Sequence, residues 1–146
     1  MKYQTLIGTI SGDIMTKYES AELILKLFEL RREEKMREAR TWWYGFNPKS
    51  IDDIKAVYQS PDSAKFRMCI GYWDMAATLV NHGAIDQEMF FDTNSEFMPL
   101  FAKLQPFLEE MRKTQPYLLV QLEKLVMRKP DAQKRLETIR ASLIKK

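Results

Sequence analysis

The longest sustained apolar pattern in the chain runs from Ser63 to Asn81, and its period is that of a helix. Placed at about 100° per residue, Phe66, Met68, Cys69, Ile70, Tyr72, Trp73, Met75, Ala76, Ala77, Leu79 and Val80 cover roughly 220° of arc, the mark of a helix buried on several sides. The remaining arc carries Arg67, Gly71, Asp74, Thr78 and Asn81, spaced four, three, four and three, so these residues stack into one narrow polar stripe. The stripe is either a wet seam beside packed neighbours or the lining of a groove that holds a ligand or partner. Asn81-His82-Gly83 supplies a left-handed stop, because glycine takes positive φ without steric cost. Asp86 then caps a new helix, and Ile85 and Phe90 stand at the spacing of a hydrophobic staple that fixes the corner.

The same periodicity organises the flanks. Residues 1–15 show no clear pattern and are expected to form an N-terminal arm, in which Tyr3 to Ile10 is a short strand, an irregular stretch or an extra helical turn. Thr16 and Glu19 have capping-box spacing, and a long helix is expected after them, with Leu23, Ile24, Leu27, Phe28 and Leu30 on its apolar face. Its continuation, Arg31 to Arg40, is charged nearly all round with opposite signs at helical spacing, so it should project from the body or meet a partner. Ser50 caps a short helix bearing Ile54, Val57 and Tyr58. Thr93 and Glu96 repeat the capping-box spacing ahead of Phe97, Leu100, Phe101, Leu104, Phe107, Leu108 and Met111, whose register runs across Pro106 and predicts one kinked helix. Gln115-Pro116 restarts a helix with Leu118, Leu119, Leu122, Leu125 and Val126. Pro130 introduces a last, basic amphipathic helix with Leu136, Ile139, Leu143 and Ile144.

At 146 residues, with 45% apolar and 29% charged residues and only five glycines, the composition fits one all-α domain, 1–146, with a real core. Six or so helices are expected in an irregular bundle around the central one at about 63–81. No apolar run is long enough to span a bilayer, and the single Cys69 excludes an internal disulfide, which agrees with a cytoplasmic setting. Charge is unevenly spread: Asp74 to Glu110 holds seven acids against one lysine, and Lys124 to Lys146 holds eight basic residues against two acids. Such asymmetry steers a polyanion, an acidic surface or a second copy, or is neutralised within the fold.

Candidate chemistry is sparse. A single histidine, His82, and a single cysteine exclude the usual zinc sets, and no Glu-x-x-His pair marks a di-iron site, so neither metal nor cofactor is expected. No glycine-rich phosphate loop or nucleophile triad is present. Two places remain. Arg67, Asp74 and Thr78 on the stripe offer a pocket wall for a small molecule. Trp42 and Trp43, within four aromatics in five residues, are either core or a stacking clamp beside arginines for bases or a planar ligand.

The run Arg67, Gly71-Tyr72-Trp73-Asp74, then Gly83-Ala84-Ile85-Asp86, followed by the aromatic helix ending at Arg112, resembles a bacterial family of small all-helical domains of unknown function. The resemblance covers about residues 15–128. It implies the helical fold, and, the family having no established activity, it adds almost nothing about function. Many members of that family carry a membrane segment before the first helix, whereas Ser11-Gly12-Asp13 interrupts the apolar run here.

The function expected from these features is a non-enzymatic interaction module, meeting a protein partner or itself as a homodimer through the charged first helix and the basic last one. The alternatives are nucleic-acid association through Arg31–Arg40, Trp42, Trp43 and the C-terminal helix, and an enzyme or small-molecule binder at Arg67, Asp74 and Thr78.

Overall fold

The computed structural model describes residues 2–144, with side chains described from Lys17 to Ile144. Every regular element among them is helical: α1 (Lys2–Arg32), α2 (Glu34–Gly45), α3 (Ile51–Tyr58), α4 (Ser63–Asn81), α5 (Gln87–Thr93), α6 (Phe97–Leu104), α7 (Leu108–Met111), α8 (Val120–Val126) and α9 (Ala132–Ile144). The all-α class is therefore established, with nine α-helical segments among the described residues rather than about six.

α4 is the axle, with the ends read from the sequence. It packs along α2 on one side and α8 on the other, with α3 and α5 against its ends, while α6 joins α8 to α9. Phe66 and Trp73 of α4, Phe90, Phe97, Phe101 and Leu104 after it, and Leu122, Leu125 and Leu136 near the C-terminus are almost wholly withdrawn from water. Each such side chain contributes about 1.5–3 kcal/mol of transfer free energy, so α4 and its neighbours carry most of the apolar driving force.

The corner after α4 is also as expected. Gly83 has φ +80°, and the Ala84 amide reaches back to the Leu79 carbonyl at 2.9 Å, closing the helix end. Asp86 caps α5 by accepting from the Met89 amide at 2.9 Å, and the stapling pair Ile85 and Phe90 is buried. The fully buried Ser20 of α1 locks this corner: its hydroxyl donates to the Ala84 carbonyl and accepts from the Asp86 amide at 3.0 Å.

Other expectations are corrected. The backbone of residues 2–15 is helical, the opening turns of α1, so Thr16 lies inside a helix rather than capping one. The long helix through Arg40 is two helices. Glu33 is extended at φ −57°, ψ 139°, and its carboxylate accepts from the Met36 amide at 3.0 Å, capping α2. Across Pro106 the chain passes from α6 through a 3-10 turn, Gln105–Phe107, into α7, because proline cannot donate the backbone bond an unbroken helix needs. After Pro116 the helix is delayed until Val120, behind Leu119 in the left-handed region at φ 53°. α9 follows Asp131 at φ 54°.

Candidate functional site

The polar stripe of α4 lies against α8. Asp74 Oδ1 accepts from the Leu122 backbone amide at 2.9 Å, which places a carboxylate on the first turn of α8 and satisfies an amide left free at a helix start. Thr78 turns inward along its own helix and donates to the Asp74 carbonyl at 2.9 Å. Asn81 donates to the carbonyl and side-chain oxygen of Gln121 at 3.0 and 2.9 Å, and its own amide oxygen receives Arg128. Arg67 is apart from these, exposed and donating to Ser63 Oγ at 3.3 Å. The structure thus joins Asp74 and Asn81 in a helix–helix seam, turns Thr78 back onto its own helix, and leaves Arg67 outside.

The charged stretch does not project as expected. Met36 and Ala39 turn one face of α2 into the core, and α2 packs along α4. Arg31 Nη2 donates to Glu96 Oε2 at 2.8 Å, Arg40 Nε donates to the same carboxylate at 3.0 Å, and Arg31 Nη1 reaches Asn94 Oδ1 at 3.3 Å. Two cations on one carboxylate pin the α1–α2 corner to the turn before α6. The Arg31 guanidinium also lies 4.7 Å from the Phe28 ring centre and 5.4 Å from that of Trp73. Glu96 therefore pairs with arginines instead of closing a capping box with Thr93, whose hydroxyl donates to the Met89 carbonyl.

Trp43 is buried and Trp42 half-buried. Trp42 stacks on Phe46 at 4.7 Å between ring centres, Trp43 stacks on Phe66 at 5.2 Å, and Trp43 Nε1 donates to the Phe66 carbonyl at 3.4 Å. Edge contacts join Tyr58 to the same cluster. The tryptophan faces are spent on this packing, the geometry of a core rather than of a base-stacking clamp. Trp42 keeps one solvent side, where it borders a shallow depression with Arg37, Glu38 and Lys65.

Beside Trp43 lies a feature that sequence reasoning missed. Lys103 of α6 is 8% exposed, and its ammonium donates to the Trp43 carbonyl and stands 5.9 Å from the Trp43 ring centre. Burial lowers its pKa to about 8. On one side it borders a cavity of about 30 Å³ with Cys69, Trp73 and Glu96, room for about one water. On the other it borders an open groove of about 750 Å³ between the α2–α3 loop and α9. In the sequence, the one lysine on an otherwise apolar helix face was the signal available.

Neither the thiol nor the phenol near these residues is poised for nucleophilic chemistry. Burial pushes the Cys69 thiol up to about 12, with Glu96 adding to the rise and Arg40 opposing it. Burial likewise raises Tyr72 to about 12 against the pull of Arg31 and Arg40, and its hydroxyl donates to the Leu27 carbonyl at 2.6 Å. The attacking species of a cysteine is its thiolate, which Cys69 does not supply near neutral pH. Among the described residues no three His, Cys, Asp or Glu side chains gather as a metal site, and no helix is long and apolar enough to cross a membrane.

Fold and side-chain placement together define a class: an all-helical module built on an aromatic core and a part-buried arginine–glutamate clamp. Residues 18–128 match the family described as "Domain of unknown function (DUF4760)", and the chain belongs to that family. No curated protein and no solved structure matches it. The matched span holds the clamp, the seam and the aromatic cluster, and α9 lies beyond it.

Proposed function

We propose that the chain acts as one domain whose role is non-enzymatic: a cytoplasmic interaction module that self-associates through the outward face of α1. The observation that carries this reading is the exposure of large apolar side chains on that helix, Tyr18 at 71%, Leu25 at 63% and Leu30 at 52%. Tyr18 and Leu25 are two turns apart and share a face, as helix–helix seams require. Around them Glu22, Lys26 and Glu29 bring both signs to the rim of that face, so an antiparallel second copy in the register that sets Lys26 opposite Glu22 or Glu29 meets complementary charges across a two-fold axis. The inward use of Arg31 and Arg40 supports the choice of this apolar face over the charged stretch that follows it.

Light scattering across a concentration series tests the reading. The expected result is a dimer that dissociates on dilution, and a monomer in Leu25→Glu with unchanged circular dichroism. A wild-type chain that stays monomeric at the highest attainable concentration overturns it.

A further inference from the structure

The groove beside Lys103 is walled by Phe107, Leu143 and Ile144, and its charged lining consists of Lys49, Lys103 and Arg140. No acid is among the described lining residues. Neither Lys103 nor Arg140 has a carboxylate partner among the described residues: Arg140 Nη1 donates to the Ala102 carbonyl at 3.0 Å and Gln105 Oε1 at 2.8 Å, and Lys103 only to the Trp43 carbonyl. An ammonium carries three donors, and burying it against one neutral acceptor leaves most of its desolvation cost uncompensated. The part-buried arginines of the α1–α2 corner meet such a cost with Glu96, a means of neutralising a withdrawn cation that no described residue supplies here.

From this charge complementarity we infer that the groove is a binding site for a free, single-chain amphipathic carboxylate. Its anionic head sits between Lys103 and Arg140, and its alkyl chain runs along Phe107, Leu143 and Ile144. The volume is within the range of about 300–1,000 Å³ typical of small-molecule sites, and an apolar wall with a few convergent polar groups is their usual make-up. The head gains charge-assisted hydrogen bonds from donors already held in place, and the chain gains burial. Lys103 is the inner contact, because it is withdrawn from water before any ligand arrives.

Isothermal titration with sodium dodecanoate below its micelle-forming concentration tests this directly. The expected result is saturable one-to-one binding, weakened at least about tenfold in Lys103→Met, with a smaller loss in Lys49→Gln and a loss in Leu143→Asp. Dodecyltrimethylammonium, which has the same chain under a cationic head, is expected to give no saturable signal, and inorganic phosphate none. Three outcomes overturn the inference: no saturable binding of dodecanoate, equal binding of the cationic analogue, or equal affinity in Lys103→Met, Lys49→Gln and wild type. Co-sedimentation with phosphatidylglycerol vesicles without binding of free dodecanoate also overturns it, in favour of a membrane surface. Should Lys103→Met fail to fold, Lys49→Gln and Leu143→Asp decide the result.

Discussion

The α1–α2 corner and the α6–α9 groove both hold cations beside aromatic rings, and they treat them in opposite ways. At the corner, Arg31 and Arg40 converge on one carboxylate, Glu96, with Asn94 taking a further donor. At the groove, Lys103 and Arg140 find only neutral oxygens among the described residues. A cation with a carboxylate partner is a fastening, since removing the partner strands a charge that water no longer reaches. A buried cation without one is a standing cost, and a fold that keeps it has room for something to offset it. What separates the two regions is the counter-ion, not the density of positive charge.

Breaking the fastening has the largest expected effect. Glu96→Ala leaves two part-buried guanidinium groups unpaired and is expected to cost about 3 kcal/mol, read from the denaturation midpoint at constant m-value. A loss below about 0.5 kcal/mol would mean that the corner is held by Met36, Ala39 and Trp43 alone and that the contrast fails.

The groove predicts the opposite sign. The pKa of Lys103 falls from the usual lysine range to about 8 in the folded chain, so the unfolded chain binds more protons between that value and about 10.4. Stability is therefore expected to rise with pH through that window, the burial cost being fully present below it. Lys103→Met is expected to raise stability at pH 7 by about 1–2 kcal/mol, the gain being partly offset by the Trp43 carbonyl losing its donor, and to flatten that pH dependence. Urea titrations of both proteins at pH 7 and pH 10 measure both effects. A destabilised Lys103→Met with an unaltered slope would show Lys103 to be another fastening.

The seam gives the smallest effect. Asp74→Ala removes the cap on the first turn of α8 and is expected to cost about 1 kcal/mol, whereas Asp74→Asn, which still accepts, loses less. Equal losses in the two variants would assign the cap to charge rather than to the hydrogen bond.

Much of the framework was legible because it rests on local rules. The ends of α4, the positive φ of Gly83, the caps at Ser50 and Asp86 and the burial of Ile85 with Phe90 follow from residues within one or two turns of each other. What was hidden depends on residues far apart in the chain. Glu96 has capping-box spacing with Thr93, yet Arg31 and Arg40, more than fifty residues earlier, claim its carboxylate. Asp74 reads as part of a stripe on one helix, but its partner is an amide forty-eight residues later. The break at Glu33 was masked because a glutamate provides the cap where Ser, Thr, Asp or Asn is the usual sign. Lys103 stands out in the sequence only through the charge balance, since a helical wheel does not say which neighbours cover a lysine.

Cys69 gives the chain a clock. It is the one cysteine among 146 residues, it lies at 1% exposure on the central helix, and burial keeps its thiol protonated far above neutral pH. A thiol reagent therefore reaches it only when α4 parts from its neighbours, so the labelling rate in native buffer counts openings of the axle itself, one covalent mark per event. Loosening α1, α9 or the groove leaves that rate unchanged unless the disturbance travels to the centre. A single mass-spectrometric time course thus separates events at the rim of this fold from events in its core.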